Sequence, residues 1–331
     1  MPFSLSKLNK QTVIIPGGSG FLGRTLAKWF AQREWQVIVL SRRPHPIDGA
    51  EVLTWDGKTM GPWTELLEGA TAVINLAGRS VNCRYNEENR ANIIASRVDS
   101  TLILGKAIAA CQNHPKVWLN SSTATIYRHR YDAPNTESAG LYGASKEAKD
   151  AFSLKVAHAW EDAFEEAYRT NDLTRTRGIL LRTAMVFGNE PGGVYETLRK
   201  FAKQGIGGTM GHGRQYVSWL HEEDFCESIA WLIQSETAQG IYNLAAPHPL
   251  PNREMMATLR QVVGALFGLP ATRWMLELGA FFLRTETELI VKSRRVEPER
   301  LLSEGYQFRF PHFEAAIKAL EQPDKSGLWI A

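Results

Sequence analysis

The 331-residue chain has few cysteines, no long apolar run and no strong excess of charge of either sign. Its three cysteines, Cys83, Cys111 and Cys226, are scattered and form no CxxC pair, which predicts reduced, mostly buried thiols. No run of about 18 apolar residues occurs, so no membrane-spanning helix is expected. The first residues lack the apolar segment of a signal peptide, and we therefore expect a cytoplasmic protein.

Charge and histidine spacing exclude further classes of protein. With 38 basic and 35 acidic residues, the net charge of +3 is too small to indicate nucleic acid or an anionic membrane as a partner. The eight histidines include no HxxxH or HxH spacing, so no metal site is predicted. The sequence also lacks the GxSxG motif of a nucleophile elbow. Since neither nucleic acid nor a membrane is indicated, we expect the partner to be a small-molecule substrate.

The most informative segment of the chain is residues 12–43, where an apolar run is followed by a glycine turn, a helical pattern and a second apolar run. In that order, backbone N–H groups and a helix N-terminus face the pyrophosphate of a dinucleotide. Gly17 permits the sharp exit from the strand, Gly20 the close approach of the pyrophosphate, and Gly23 the packing of the helix on the sheet. The candidate phosphate site consists of Gly17, Gly18, Ser19, Gly20, Phe21, Leu22 and Gly23.

The residues after the second apolar run predict which cofactor the turn binds. An acidic residue there would bind the ribose 2′-OH of NAD(H), but this chain has Ser41, Arg42 and Arg43. Arginine forms charge-assisted hydrogen bonds with a 2′-phosphate, which favours NADP(H), and Arg42 lies nearer the strand end. A solvated arginine pair is the alternative. Asp56, after the third strand, is either a contact for the adenine amino group or a turn residue beside Gly57.

Strand and helix patterns alternate along the first half of the chain, which predicts an α/β protein with a Rossmann-type, doubly wound parallel sheet. The predicted strands are 12–15, 36–40, 51–55, 72–76, 117–120, 177–182 and 241–244. The predicted helices are 21–33, 86–111, 145–169, 194–204, 222–235, 252–267, 273–284 and 312–320. Residues 274–283 are the most apolar helical stretch, and we expect them to form a core helix.

The change of pattern after about residue 188 predicts two domains. We expect residues 1–188 to form the NADP-binding domain, with 215–245 returning to it. Residues 189–331 are expected to form a smaller, mostly helical domain on the substrate side. The two long helices predicted over 86–111 and 145–169 could also form the interface of a homodimer.

Four segments together resemble a known superfamily: the glycine turn, residues 75–78 (NLAG), residues 121–127 (SSTATIY) and residues 142–146 (YGASK). The chain resembles the extended short-chain dehydrogenases/reductases and, more narrowly, the NADP-dependent epimerase family proteins, which are similar to sugar-nucleotide epimerases. The narrower resemblance includes a C-terminal domain peculiar to that group. It implies a cofactor site that includes Phe21, Leu22, Ser41, Arg42, Leu76, Ala77, Arg97 and Val186. Gly78, Ser121 and Arg43 complete the candidate cofactor contacts.

The resemblance also implies a catalytic set. In the superfamily a tyrosine transfers the proton of a hydroxyl/carbonyl pair, a lysine one helical turn later assists it, and a Ser or Thr polarises the same oxygen. Thr123, Tyr142 and Lys146 match these types, and Tyr142 and Lys146 would share one face of a helix. However, Lys146 precedes Arg182 by 36 residues, whereas Lys155 precedes it by 27, which fits the superfamily better.

Two interpretations of the catalytic set therefore remain. Either Tyr142 and Lys146 are the working pair, or the site lacks the usual tyrosine and Lys155 is the candidate for the ribose contact. In the first case the protein is an NADP(H)-dependent oxidoreductase or epimerase acting on a hydroxyl/carbonyl group, with a nucleotide sugar as one candidate substrate. In the second it is a non-catalytic NADP(H)-binding sensor or scaffold. Candidate substrate contacts are Arg199, Lys200, Lys203, Arg214 and Tyr216, beside two glycine-rich loops.

Overall fold

The structure is a computed structural model that describes residues 11–271 and 291–322. The helix predicted over 273–284, with the apolar stretch 274–283, lies outside the described residues. Within the described ranges, no helix combines the length and apolarity needed to cross a membrane. The thiols of Cys111 and Cys226 are buried and that of Cys83 is half-buried, and all three are unpaired.

A seven-stranded parallel sheet forms the centre of the molecule, with the strand order β10-β6-β5-β4-β1-β2-β3. The strands are β1 Thr12–Pro16, β2 Gln36–Ser41, β3 Glu51–Thr54, β4 Ala72–Asn75, β5 Val117–Thr123, β6 Arg177–Thr183, β7 Met185–Phe187, β8 Tyr216–Val217, β9 Trp219–His221, β10 Gly240–Leu244 and β11 Leu250–Pro251. Two further pairs, β7 with β9 and β8 with β11, lie outside the large sheet. This order, which reverses between β1 and β4, confirms the predicted doubly wound α/β fold.

Helices cover both faces of the sheet. They are α1 Phe21–Ala31, α2 Glu87–Ala109, α3 Ala151–Asn171, α4 Val194–Lys203, α5 Glu222–Gln234, α6 Asn252–Val262, α7 Glu299–Ser303 and α8 Phe313–Glu321, with 3-10 turns at Pro62–Leu67 and Ala124–Ile126. Strand side chains alternate between the faces, so Ile14, Val73 and Trp118 pack in one core and Val13 and Leu119 in the other. All five of these side chains are fully buried, as expected for a sheet covered on both sides.

Two predicted helix boundaries are wrong. The helix predicted over 145–169 begins at Ala151, because the preceding residues form turns in which Lys149 has a φ of 56°. The Asp150 carboxylate accepts a hydrogen bond from the Ser145 N–H at 2.7 Å, which stabilises these turns. Tyr142 and Lys146 therefore do not share a helical face. The helix predicted over 252–267 ends at Val262, and Gly264 follows it in the left-handed region at φ 71°.

Candidate functional site

The glycine turn brings the end of β1 into direct contact with the turn after β4. Gly17 has a φ of 76°, and a Cβ there would lie 2.6 Å from the Ala77 backbone N and Cα. A Cβ on Gly23 would lie 2.3 Å from the Gly18 Cα, so this position fixes how closely α1 approaches the turn. Around Gly20, in contrast, the nearest atom to an added Cβ would be 3.9 Å away. Two of the glycines are thus required by packing, and the third leaves open space at the start of α1.

A cleft of about 700 Å³ follows the carboxyl ends of β1 to β4. Nine of the predicted cofactor residues line it: Gly17, Ser19, Gly20, Ser41, Arg42, Arg43, Leu76, Ala77 and Gly78. The cleft is also lined by residues that the sequence interpretation did not assign: Trp55, Lys58, Arg79, Ser96, Asp99 and Ser100. Lys58 could have been recognised as a cation in the turn after the third strand, at the same sheet edge as Arg42. The residues contributed by α2 have no comparable signal in the sequence.

A buried amide network fixes the turn after β4. The Asn75 side chain donates to the Asn120 Oδ1 at 2.6 Å and accepts a hydrogen bond from the Ala77 N–H at 3.0 Å. Thr101 on α2 accepts a further hydrogen bond from the same Asn75 amide at 3.3 Å. Each partner comes from a different element, so the position of Ala77 against Gly17 is set by the interior of the protein.

Arg97 lies behind the cleft wall. Its guanidinium donates to the backbone oxygens of Arg79 and Ile93 at 3.1 Å and 2.9 Å and lies 4.8 Å from the centre of the Trp160 ring. A Cβ on Gly78 would lie 3.1 Å from the Arg97 Cζ, so the guanidinium supports this turn directly. Burial lowers the pKa of Arg97 to about 10. In this arrangement Arg97 supports the cleft wall from the protein side.

Four other predicted cofactor residues, Phe21, Ser121, Lys155 and Val186, do not line this cleft. Ser121 and Val186 are buried in strands, and the Phe21 ring lies against Gly193, where a Cβ would be 2.9 Å from it. Lys155 is exposed on α3, in a surface groove that it shares with Arg90. The structure therefore does not bring Lys155 to the cleft.

Asp56 is bonded within its own turn. Its Oδ1 accepts hydrogen bonds from the N–H groups of Lys58 at 2.8 Å and Thr59 at 2.9 Å, and its Oδ2 accepts one from the Thr59 hydroxyl at 2.6 Å. These hydrogen bonds, the Thr59 hydroxyl first, lower the pKa of Asp56 to about 2. This geometry favours the turn interpretation over the adenine contact.

In the described part of the chain, no hydrogen bond joins any two of the three predicted catalytic residues. The Thr123 hydroxyl accepts a hydrogen bond from the Thr125 N–H at 3.1 Å. The Tyr142 hydroxyl accepts one from the Arg182 Nη1 at 2.8 Å, and the Tyr142 side chain is 47% exposed. Lys146 is exposed, and among the described residues it forms no hydrogen bond or ion pair. Because neighbouring strand residues point to opposite faces, Thr123 faces away from the side to which Ser122 and the Arg182 network belong.

A buried ionic network beneath Tyr142 was missed by the sequence interpretation. Arg182 forms a bidentate pair with Glu161, with N–O distances of 2.8 Å and 2.7 Å, and Ser122 donates its hydroxyl hydrogen to the same carboxylate. The Arg182 Nη1 also donates to the Tyr127 hydroxyl at 3.0 Å, and burial raises the pKa of Tyr127 to about 12. The Tyr127 and Tyr142 rings stack with centroids 5.8 Å apart. In the sequence, Arg182 served only as a marker for the spacing of Lys146 and Lys155, without a role of its own.

Lys292, in the C-terminal part of the chain, connects the turn after β5 to the loop before α3. Lys292 Nζ lies 2.6 Å from the Asp150 Oδ2, and both side chains are fully buried. The same ammonium group donates to the Thr125 backbone oxygen at 2.6 Å. Since Asp150 also holds the Ser145 N–H, one lysine links the end of β5 to the loop that carries Tyr142.

The predicted substrate contacts are partly neutralised. Arg199 and Lys203 on α4 both pair with Glu321 on α8, Lys203 at 3.6 Å. Arg214 is exposed, and its backbone N–H donates to the His212 Nδ1 at 3.0 Å.

Loop 188–193 is held against α1 by Arg24, which donates to the Ser19 backbone oxygen at 2.7 Å and to the Pro191 backbone oxygen at 2.5 Å. In the described part of the chain, no group of three or more His, Cys, Asp or Glu side chains could hold a metal ion.

Comparison of the sequence with known proteins gives matches along almost the whole chain. The profile of the NAD dependent epimerase/dehydratase family matches residues 13–245, and that of a domain of unknown function, DUF1731, matches residues 271–320. Human epimerase family protein SDR39U1 is 28% identical over 93% of this chain and 99% of its own length. Epimerase family protein YfhF of Bacillus subtilis is 27% identical over 93% of this chain and 97% of its own length.

Two solved structures share the fold. A crystal structure of human SDR39U1 (isoform 2) with NADPH matches with a TM-score of 0.79 at 26% identity, covering 95% of this chain and all of that one (100%). A nucleoside-diphosphate sugar epimerase from Corynebacterium glutamicum matches with a TM-score of 0.72 at 26% identity, covering 94% of this chain and 58% of that one.

Proposed function

Since the chain belongs to the NAD dependent epimerase/dehydratase family, we propose that it binds NADP(H) in the cleft along β1 to β4 and acts on a hydroxyl/carbonyl group. The observation that carries the proposal is the composition of that cleft. One part is the glycine turn packed on Ala77, and another is the pair Arg42 and Arg43 after β2. The human relative, solved with NADPH, supports the choice of cofactor.

Each part of the cleft suits one part of the dinucleotide. The open space at Gly20 and the first N–H groups of α1 suit a pyrophosphate, because the positive end of the helix dipole lies there. Arg42 and Arg43 are exposed, and neither side chain forms an ion pair with a described residue, so both are available to a 2′-phosphate. The bound cofactor would supply or accept a hydride.

For the chemistry itself, we propose Tyr142 as the acid–base residue. Thr123 and Lys146 can polarise the same oxygen and assist only if substrate binding brings them to Tyr142, since neither is hydrogen-bonded to it. The exposure of Tyr142 supports this role, and so does its hydroxyl, which accepts a hydrogen bond from Arg182 and donates none to a described residue. The hydroxyls of Thr123 and Tyr142 are hydrogen-bonded to other residues and not to each other, which favours the alternative, a non-catalytic NADP(H)-binding protein. A nucleotide sugar is the candidate substrate, supported by the name of the Corynebacterium relative and by the exposed Arg214.

The experiment measures NADPH and NADH binding by fluorescence titration in wild type and in Arg42→Ala. We expect Arg42→Ala to weaken NADPH binding about tenfold, because a charge-assisted contact is lost, and to leave NADH binding within about twofold. Lys106→Ala, which removes an exposed cation from α2 outside the cleft, is the matched control. Equal losses for both cofactors in Arg42→Ala would contradict the 2′-phosphate assignment.

A further inference from the structure

The turn after β3 forms one wall of the cleft and is rigid. Trp55 is buried and packs edge-on against Trp63, with ring centroids 5.4 Å apart. The Asp56 carboxylate holds the Lys58 N–H at 2.8 Å, and Gly57 takes a φ of 73° that permits the turn. The backbone of Lys58 is therefore fixed where its side chain lines the cleft, on the wall contributed by β3.

The Lys58 ammonium group is held by Asp99. Its Nζ lies 3.2 Å from the Asp99 Oδ2, and the two side chains are 62% and 35% exposed. Asp99 projects from α2 and lines the same cleft. A lysine ammonium group has three N–H donors, so a contact with one carboxylate oxygen leaves donors for a second anion.

Arg42 and Arg43 also line this cleft, from the end of β2, which is the direct neighbour of β3 in the sheet. Three cations and one ion-paired carboxylate thus come from adjacent elements. We propose that Lys58 is a third cation for the 2′-phosphate of NADP(H), and that Asp99 competes with the phosphate for Lys58 and opposes the phosphate by its own charge. This proposal rests on the proposed function of the cleft.

The two members of the ion pair should have opposite effects on cofactor affinity. Lys58→Met removes an attraction to the phosphate dianion, and we expect it to weaken NADPH binding about fivefold. Asp99→Asn removes a repulsion and releases Lys58, and we expect it to strengthen NADPH binding about threefold. NADH carries no 2′-phosphate, so its affinity should change by less than about twofold in both variants. A purely structural ion pair would give the same sign in both variants and the same change for both cofactors.

The test titrates wild type, Lys58→Met and Asp99→Asn with NADPH, NADH, adenosine 2′,5′-bisphosphate and adenosine 5′-monophosphate. Lys106→Met serves as the control for a lost surface cation, and thermal unfolding shows that each variant is folded. The proposal predicts opposite shifts that occur only with the two 2′-phosphorylated ligands and that shrink at high salt. If wild type prefers NADPH but both variants keep the wild-type ratio of the two affinities, the Lys58 proposal is overturned and the proposed function stands. If wild type binds NADPH and NADH equally, the proposed function itself fails.

Discussion

Replacing Gly17 by alanine tests the contact on which the cofactor site is built. The new Cβ would lie 2.6 Å from the Ala77 backbone, and a side chain at φ 76° costs about 1–2 kcal/mol in conformational energy alone. Ala77 cannot move away easily, because its N–H is bonded to the buried Asn75 side chain at 3.0 Å. With the overlap included, we expect Gly17→Ala to lower the free energy of unfolding by about 3 kcal/mol.

Gly20→Ala is the matched control, since it adds the same methyl group three residues later. Its Cβ would meet no atom closer than 3.9 Å, and Gly20 has an ordinary φ of −77°. We expect its free energy of unfolding to fall by no more than about 1 kcal/mol, since Gly is preferred over Ala at this N-cap position of α1, while NADPH binding falls because the methyl group occupies cofactor space. Urea unfolding measures the free energy of unfolding, and fluorescence titration measures the affinity for NADPH. A Gly17→Ala variant as stable as wild type would refute the packing argument.

Two further predictions concern pH and catalysis. Burial raises the pKa of Glu222 to about 7 from an ordinary value of 4.5. Between these two values the folded protein binds a proton that the unfolded chain releases. The free energy of unfolding should therefore fall as pH rises from about 5 to about 8. Glu222→Gln should reduce this fall by up to about 3 kcal/mol in urea unfolding, with a remainder from Glu223, and an unchanged pH dependence would contradict the assignment. Tyr142→Phe should abolish NADPH-dependent turnover of a carbonyl substrate and leave NADPH affinity within about twofold, and retained turnover would reject Tyr142 as the acid–base residue.

The sequence alone was sufficient to predict the glycine turn and the arginines after β2, because their positions depend on residues close to them in the chain. The glycine turn and the arginines after β2 depend on neighbours within a strand–turn–helix–strand unit, and the structure places Gly17, Gly20, Arg42 and Arg43 in one cleft. The doubly wound parallel sheet followed from the alternation of strand and helix patterns. These features are dictated by backbone conformation and periodicity, which the sequence displays directly.

The catalytic region depends on contacts between distant residues, which the sequence does not display. The start of α3 is set by Asp150, whose partner Lys292 lies in the C-terminal segment. Tyr142 is held by Arg182, and Arg182 in turn by Glu161. Residue spacing alone suggested a Tyr–Lys pair on one helix, whereas the turns held by Asp150 and Lys292 delay the start of that helix to Ala151. The division into domains and the possible homodimer stay predictions.

The assignment of the cleft to NADP(H) is tested most directly by the ratio of the dissociation constants of NADH and NADPH for the wild-type protein, measured side by side at one ionic strength. Because Arg42 and Arg43 lie exposed at the end of β2, we expect NADPH to bind at least about tenfold more tightly. Equal dissociation constants, or tighter binding of NADH, would contradict it.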